Sequence, residues 1–149
     1  MRRIVSLPIV ALACALTIAT STARGAGCTV STAGLNFGTY DVFSTLNDDI
    51  TATINVDCPS GTAYSILLSS GSGTFAARTL TTVGGALSYN LYLDPTRLTI
   101  WGDGTGSTGT VSGTGTGANV GTPVYGRIPA GQNVAVGSYS DLITVTVTF

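Results

Sequence analysis

The side chains able to do chemistry in this chain are few and of narrow type. There is no His, Lys or Glu; the acids are seven Asp, the cations six Arg, and there are three Cys and one Trp. Without His, Ser–His–Asp and Cys–His arrangements are closed, and so is the commonest general base. Two Asp could still hydrolyse a glycoside, but Asp48 and Asp49 are adjacent and would point to opposite faces of a strand. After Asn47 they read as loop decoration. Calcium would find carboxylates at Asp48–Asp49 or Asp103, but EF-hand spacing is absent. Gly104, Gly106 and Gly109 match GxGxxG, yet no helical pattern follows, as a dinucleotide loop requires. Trp101, ahead of Gly102-Asp103-Gly104, suits either a sugar platform or a core position with its N–H satisfied. Arg127 reads as a solvated or aromatic-stacked cation. The expectation is a protein that is not an enzyme and carries no cofactor and no metal.

The cysteines depend on the N-terminus. Arg2 and Arg3 precede an apolar stretch from Ile4 to Ala19, and Ser21-Thr22-Ala23 offers small residues at a cleavage site. This is the pattern of a secretory signal, placed at 1–23 with cleavage after Ala23, leaving a domain at 24–149. The stretch falls short of the ~20 residues of a spanning helix, so no stable membrane anchor is expected. Ala11-Leu12-Ala13-Cys14 loosely resembles a lipoprotein box, but its Leu is one place too late, and Cys14 reads as a discarded signal residue. The mature chain then holds Cys28 and Cys58, for which only one intramolecular pairing exists. An exported chain meets an oxidising compartment, so a disulfide is expected. With no His and no CxxC, a metal or redox centre is not. Removing the signal leaves four Arg against seven Asp. That balance, with a pI near 4.8, argues against nucleic acid.

The elements that position these residues are strands. Ile50, Ala52, Ile54 and Val56 alternate with polar residues, as do Leu87, Tyr89, Leu91 and Leu93, and finally Ile143, Val145, Val147 and Phe149. Shorter candidates lie at 28–31, 35–40, 63–69, 97–101 and 123–128. The Gly-rich run from Gly102 to Gly121 reads as a long exposed loop or loosely held hairpin. Many short strands without a helical period indicate an all-β sandwich or barrel. The closing strand has no charge after Asp141, and the chain has no Lys to blunt an edge. Such an edge invites a strand from another chain.

Several motifs in order resemble one family. Cys28-Thr29-Val30, Leu35-Asn36-Phe37-Gly38-Thr39-Tyr40 and Cys58 resemble the front half of a spore coat protein U domain. The back half is similar in Leu87-Ser88-Tyr89-Asn90-Leu91-Tyr92, Trp101-Gly102-Asp103-Gly104, Tyr125-Gly126-Arg127-Ile128-Pro129-Ala130-Gly131-Gln132 and Gly137-Ser138-Tyr139-Ser140-Asp141, which leads into the closing strand to Phe149. The resemblance spans about residues 27–149. The family includes Csu-type secreted pilins of archaic chaperone–usher systems.

The resemblance implies an immunoglobulin-like antiparallel β-sandwich that lacks one strand. It implies partners too: a periplasmic chaperone that lends a strand, an outer-membrane usher, and a further pilin subunit whose extension replaces the lent strand. The fibres would serve attachment and biofilm formation. The acceptor groove is expected along Val30, Ile143, Val145, Val147 and Phe149. One feature departs from the pilin pattern. Cleavage after Ala23 leaves only Arg24-Gly25-Ala26-Gly27 before Cys28, too short to donate a strand. Either the chain accepts a strand and donates none, as a tip subunit would, or cleavage after Ala15 leaves Leu16-Thr17-Ile18-Ala19-Thr20 as a donor. The rival from another class is a stand-alone coat or carbohydrate-binding module.

Overall fold

The computed structural model describes residues 4–12 and 27–149. Its described residues form nine strands and no helix: β1 Ile4–Leu12, β2 Thr29–Thr32, β3 Asp48–Asp57, β4 Ala63–Leu68, β5 Arg78–Thr82, β6 Gly85–Tyr92, β7 Val111–Thr114, β8 Asn119–Ile128 and β9 Ser140–Thr148. The strands pair antiparallel throughout. One layer runs β2-β3-β8-β6 and the other β6-β5-β9-β4-β7. β6 belongs to both layers, because Gly85–Tyr89 pair with β5 and Asn90–Tyr92 with β8. This is the expected sandwich, and the period-2 patterns set its faces. Ile54 and Val56, Leu87, Tyr89 and Leu91, and Ile143, Val145 and Val147 are all buried. Burying each such side chain stabilises the fold by about 1.5–3 kcal/mol.

The disulfide between Cys28 and Cys58 closes one end, with Cα atoms 4.2 Å apart. Trp101 is fully buried and donates its indole N–H to the Ile66 carbonyl at 3.1 Å, which resolves its two readings in favour of the core.

Four local expectations are corrected. Residues 35–40 form no strand: Gly34 and Gly38 take positive φ on either side, and Leu35 and Phe37 plug the core from a loop. Residues 97–101 contribute only an isolated bridge of Ile100 with Tyr92 and one of Trp101 with Gly109. There the Asp94 carboxylate caps the turn by accepting the amides of Leu98 and Thr99 and the Thr96 hydroxyl, which holds it down at about 2. Asp48 and Asp49 are not in a loop but open β3, paired with Ile128 and Arg127. β5 is a strand without a clear alternating signature, and the Gly-rich run supplies both β7 and the start of β8. That run packs closely: a Cβ on Gly115 would stand 2.3 Å from the Pro59 carbonyl oxygen.

Candidate functional site

The closing strand β9 has two edges with different occupants. Val145–Thr148 pair with Leu68–Ser65 of β4 and also with Leu7–Ile4 of β1, while Ser140 pairs with Thr81 of β5 and with Leu12 of β1. A residue has one partner per edge, so β4 and β5 share the inner edge and β1 takes the outer edge along nine consecutive pairs. β1 also runs within 8 Å of β2, Cα to Cα, although the two are not paired. The segment therefore lies between the last strand and the strand carrying Val30, where the acceptor groove was expected.

The register suits the chemistry of the backbone. In an antiparallel ladder, successive residues turn N–H and C=O to opposite edges. Thr144 spends both on the inner side: its carbonyl accepts the Ser69 amide at 3.0 Å and its amide donates to the Ser69 hydroxyl at 2.9 Å. Pro8, which has no N–H to give, is paired with Thr144. The proline thus falls where no ladder bond is asked of it. The groups that face β1 are those of Asp141, Ile143, Val145 and Val147. With the outer edge empty, those four residues would leave their N–H and C=O groups without ladder partners.

Of the expected groove residues, Val30 is buried on β2 opposite Val56, and Ile143, Val145 and Val147 are buried on β9. Phe149 is half-buried and lays its ring against Gly27, where a Cβ would stand 2.3 Å away. Of these, Ile143, Val145 and Val147 lie on the strand whose outer edge β1 takes. The cleavage position after Ala23, Cys14, and the alternative donor 16–20 lie outside the described residues.

A buried polar network anchors the start of β9. Asp141 is 4% exposed and shares the inward parity of Ile143 and Val145. Its Oδ2 accepts the Tyr89 hydroxyl at 2.6 Å, and its Oδ1 accepts the Ser72 amide and the Leu142 amide, each at 2.8 Å. Leu142 lies between the stretches of inner edge covered by β5 and β4, so the carboxylate satisfies an amide that neither neighbour reaches. Beside it, the fully buried Arg78 donates to the carbonyls of Ser69 and Trp101, both at 2.8 Å, and to Asn90 Oδ1 at 2.7 Å. Asn90 in turn donates to the Phe75 carbonyl at 2.9 Å. Burial, and then the hydrogen bond to Asp141, push the Tyr89 hydroxyl well above its ordinary value; burial pushes the Arg78 guanidinium down. The sequence reading missed this network. The available signal was parity, since a carboxylate on the core face of a strand must find partners.

The other charged candidates are structural. Arg127 makes a two-pronged pair with Asp49 at 2.7 Å, and Arg97 approaches the same carboxylate at 3.3 Å while lying over the Tyr125 ring. The Arg127 bond holds Asp49 below the usual carboxylate range. Asp48 is raised, first by burial and then by Asp49, and its Oδ2 is buried without a hydrogen-bond partner. Asp103 accepts from the Thr105 amide and hydroxyl. Among the described residues, no three His, Cys, Asp or Glu side chains converge as metal ligands, and no helix is long and apolar enough to cross a membrane.

Comparison with known proteins points one way. A family model described as the Spore Coat Protein U domain matches residues 14–146. Protein U of Myxococcus xanthus is 41% identical over 129 residues, covering 77% of this chain and 71% of that protein. Among solved structures, the fold is similar to a chain in the CsuC–CsuE chaperone–tip adhesion subunit pre-assembly complex from the archaic chaperone–usher Csu pili of Acinetobacter baumannii. The TM-score is 0.61 at 19% identity over 82% of this chain. This chain spans 39% of the length of that one.

Proposed function

The chain belongs to the Spore Coat Protein U domain family, and on that footing we propose that it is a structural or adhesive subunit of a secreted surface fibre, completed by a strand from another protein. The observation that carries the reading is the outer edge of β9, which takes up an extended segment in antiparallel register over nine residues. In this reading residues 1–23 are an export signal, and their removal after Ala23 vacates the edge. A periplasmic chaperone supplies a strand in transit, an outer-membrane usher receives the complex, and the extension of another subunit then takes the edge for good. The fibre stands on the cell surface and serves attachment and biofilm formation. The role is one of assembly rather than catalysis. With four residues before Cys28, the mature chain accepts a strand and donates none, which suits a tip or terminal position.

The thermodynamics favour exchange rather than a permanently closed fold. An empty edge leaves paired-strand geometry with nothing to pair, and apolar groups near it wet; any strand supplied in register relieves both. The test uses residues 24–149 purified with and without a peptide carrying the sequence of residues 4–12. At a peptide concentration near 100 times its Kd, linkage gives about 2.7 kcal/mol, or a rise in Tm of roughly 10 °C for a domain this size. Val145→Asp should abolish recovery from the periplasm, whereas Thr146→Asp, on the opposite face, should be tolerated better. A mature domain that melts cooperatively at high temperature and ignores the peptide would instead identify a self-complete coat or carbohydrate-binding module.

A further inference from the structure

The end of the sandwich at which β9 begins is unlike the rest of the surface. β3 and β6 begin there and β5 and β8 end there. Between the loop before β3 and the loop before β9 opens a cleft of about 590 Å³. Phe37, Leu80, Leu87 and Ile128 form its floor, and Tyr40 and Tyr139 line its walls. The polar tips of the walls are spent internally: the Tyr40 hydroxyl donates to the Pro129 carbonyl and accepts the Gln132 amide, and the Tyr139 hydroxyl donates to the Ala135 carbonyl. The cleft is therefore apolar in practice. Its lips carry Phe43, 89% exposed, and Val136, fully exposed, while the nearby β5–β6 turn presents a fully exposed Val83.

The position of this end relative to the strand edge selects its occupant. A strand lying on β9 as β1 does leaves the edge at the residue paired with Ser140, next to Tyr139 in the cleft wall. In the fibre reading the strand is the N-terminal extension of another subunit, and that subunit continues from this point. Its folded body then sits against this end and no other. Resting on the fibre-subunit reading above, we infer that the cleft and its apolar lips, Phe43 and Val136, dock the body of the subunit that donates the strand, through apolar side chains of that subunit. Association then has two parts: a sequence-tolerant backbone ladder along β9, and an apolar contact at its end that sets which subunit is accepted and how it is oriented.

Site-specific photo-crosslinking in the native host, with the full chain expressed beside its chromosomal neighbours, tests this. Crosslinkers replace Leu142, which is 53% exposed on β9 and reports the occupant of the edge, and, separately, Phe43 and Val136. Ala118, exposed at the opposite end, is the control. The expected result is one and the same protein, identified by mass spectrometry, captured at all three positions and not at Ala118. With that subunit purified, Phe43→Ser combined with Val136→Ser should weaken its binding by roughly tenfold or more, as loss of apolar anchors does. The double variant should leave unchanged both the Tm and the binding of the isolated residue 4–12 peptide. Capture of a subunit at Leu142 with nothing, or with a different molecule such as lipid or a chaperone, at Phe43 and Val136 would overturn the inference and leave the fibre reading standing. Failure to capture any subunit at Leu142 would remove both.

Discussion

Replacing Asp141 by Ala tests whether β9 is held in place by the buried network at its start. The substitution strands two buried donors, the Tyr89 hydroxyl and the Ser72 amide, and leaves the Leu142 amide without its carboxylate partner. An unpaired buried donor costs about 1–3 kcal/mol, so the two that belong to other elements set a cost of about 2–6 kcal/mol. The expected value lies in that range. Tyr89→Phe removes one donor and leaves the carboxylate two amides, so its cost should be about 1–2 kcal/mol. Once Asp141 is gone, the Tyr89 hydroxyl is itself the stranded group, and deleting it should cost little. The double variant should therefore be more stable than the sum of the singles by about 1–2 kcal/mol. Urea unfolding is the assay, on a form in which the residue 4–12 sequence follows Phe149 through a short Gly turn, so that edge occupancy is the same in every variant. A cost for Asp141→Ala below about 1 kcal/mol, or additivity within about 0.5 kcal/mol, would refute the claim that this carboxylate anchors β9.

Two further expectations concern stability. Cys28→Ser with Cys58→Ser opens a loop with a sequence separation of 30 and should cost about 3–4 kcal/mol in the chain-entropy model, read by urea unfolding against the oxidised parent. Asp48→Asn should raise the melting temperature at pH 7 and leave it unchanged near pH 3. The Asp48 carboxyl is raised in the folded state, so ionising it costs the folded form more than the unfolded one; that penalty is complete above the folded value and vanishes below 3.8. An equal effect at both pH values would show that charge is not the cause.

Much of the fold was legible because alternation and burial are linked by geometry. On β9 the pattern from Ile143 to Val147 needs no tertiary information to assign its faces, and the same holds for β3 and β6. The failures have equally physical origins. Leu35 and Phe37 have strand-like spacing, but left-handed glycines flank them, and burial from a loop produces the same period. β5 has Arg78 inward, so hydrophobic alternation fails at a position where a cation is satisfied by two carbonyls and an amide oxygen. The Gly-rich run hid β7, because small residues there serve close packing rather than burial of their own side chains. Asp141 was visible as the last charge of the chain, at the start of the closing strand, but its parity with Ile143 was the more informative fact.

The same logic bears on the uncharged outer edge of β9, which the proposed function makes an acceptor. A sheet edge is ordinarily protected by Lys, by inward charge, by Pro or by a bulge, and each of these would also exclude an incoming strand. β9 carries no Lys, Pro or bulge, and pairs with β1 along nine consecutive residues. Its one acid, Asp141, turns inward and is consumed by Tyr89, Ser72 and Leu142. An edge kept open in sequence must then be protected by occupancy. The segment 4–12 shows how little an occupant needs: an extended backbone in register, and a proline only where the ladder makes no demand. Because the backbone pairing of β9 is satisfied by any such strand, it supplies stability but little discrimination. Selection among strands must come from side chains and from whatever lies where the strand leaves the edge. At that point the molecule presents an apolar cleft flanked by Phe43 and Val136, where the proposed docking of the donor's body would set the choice of partner.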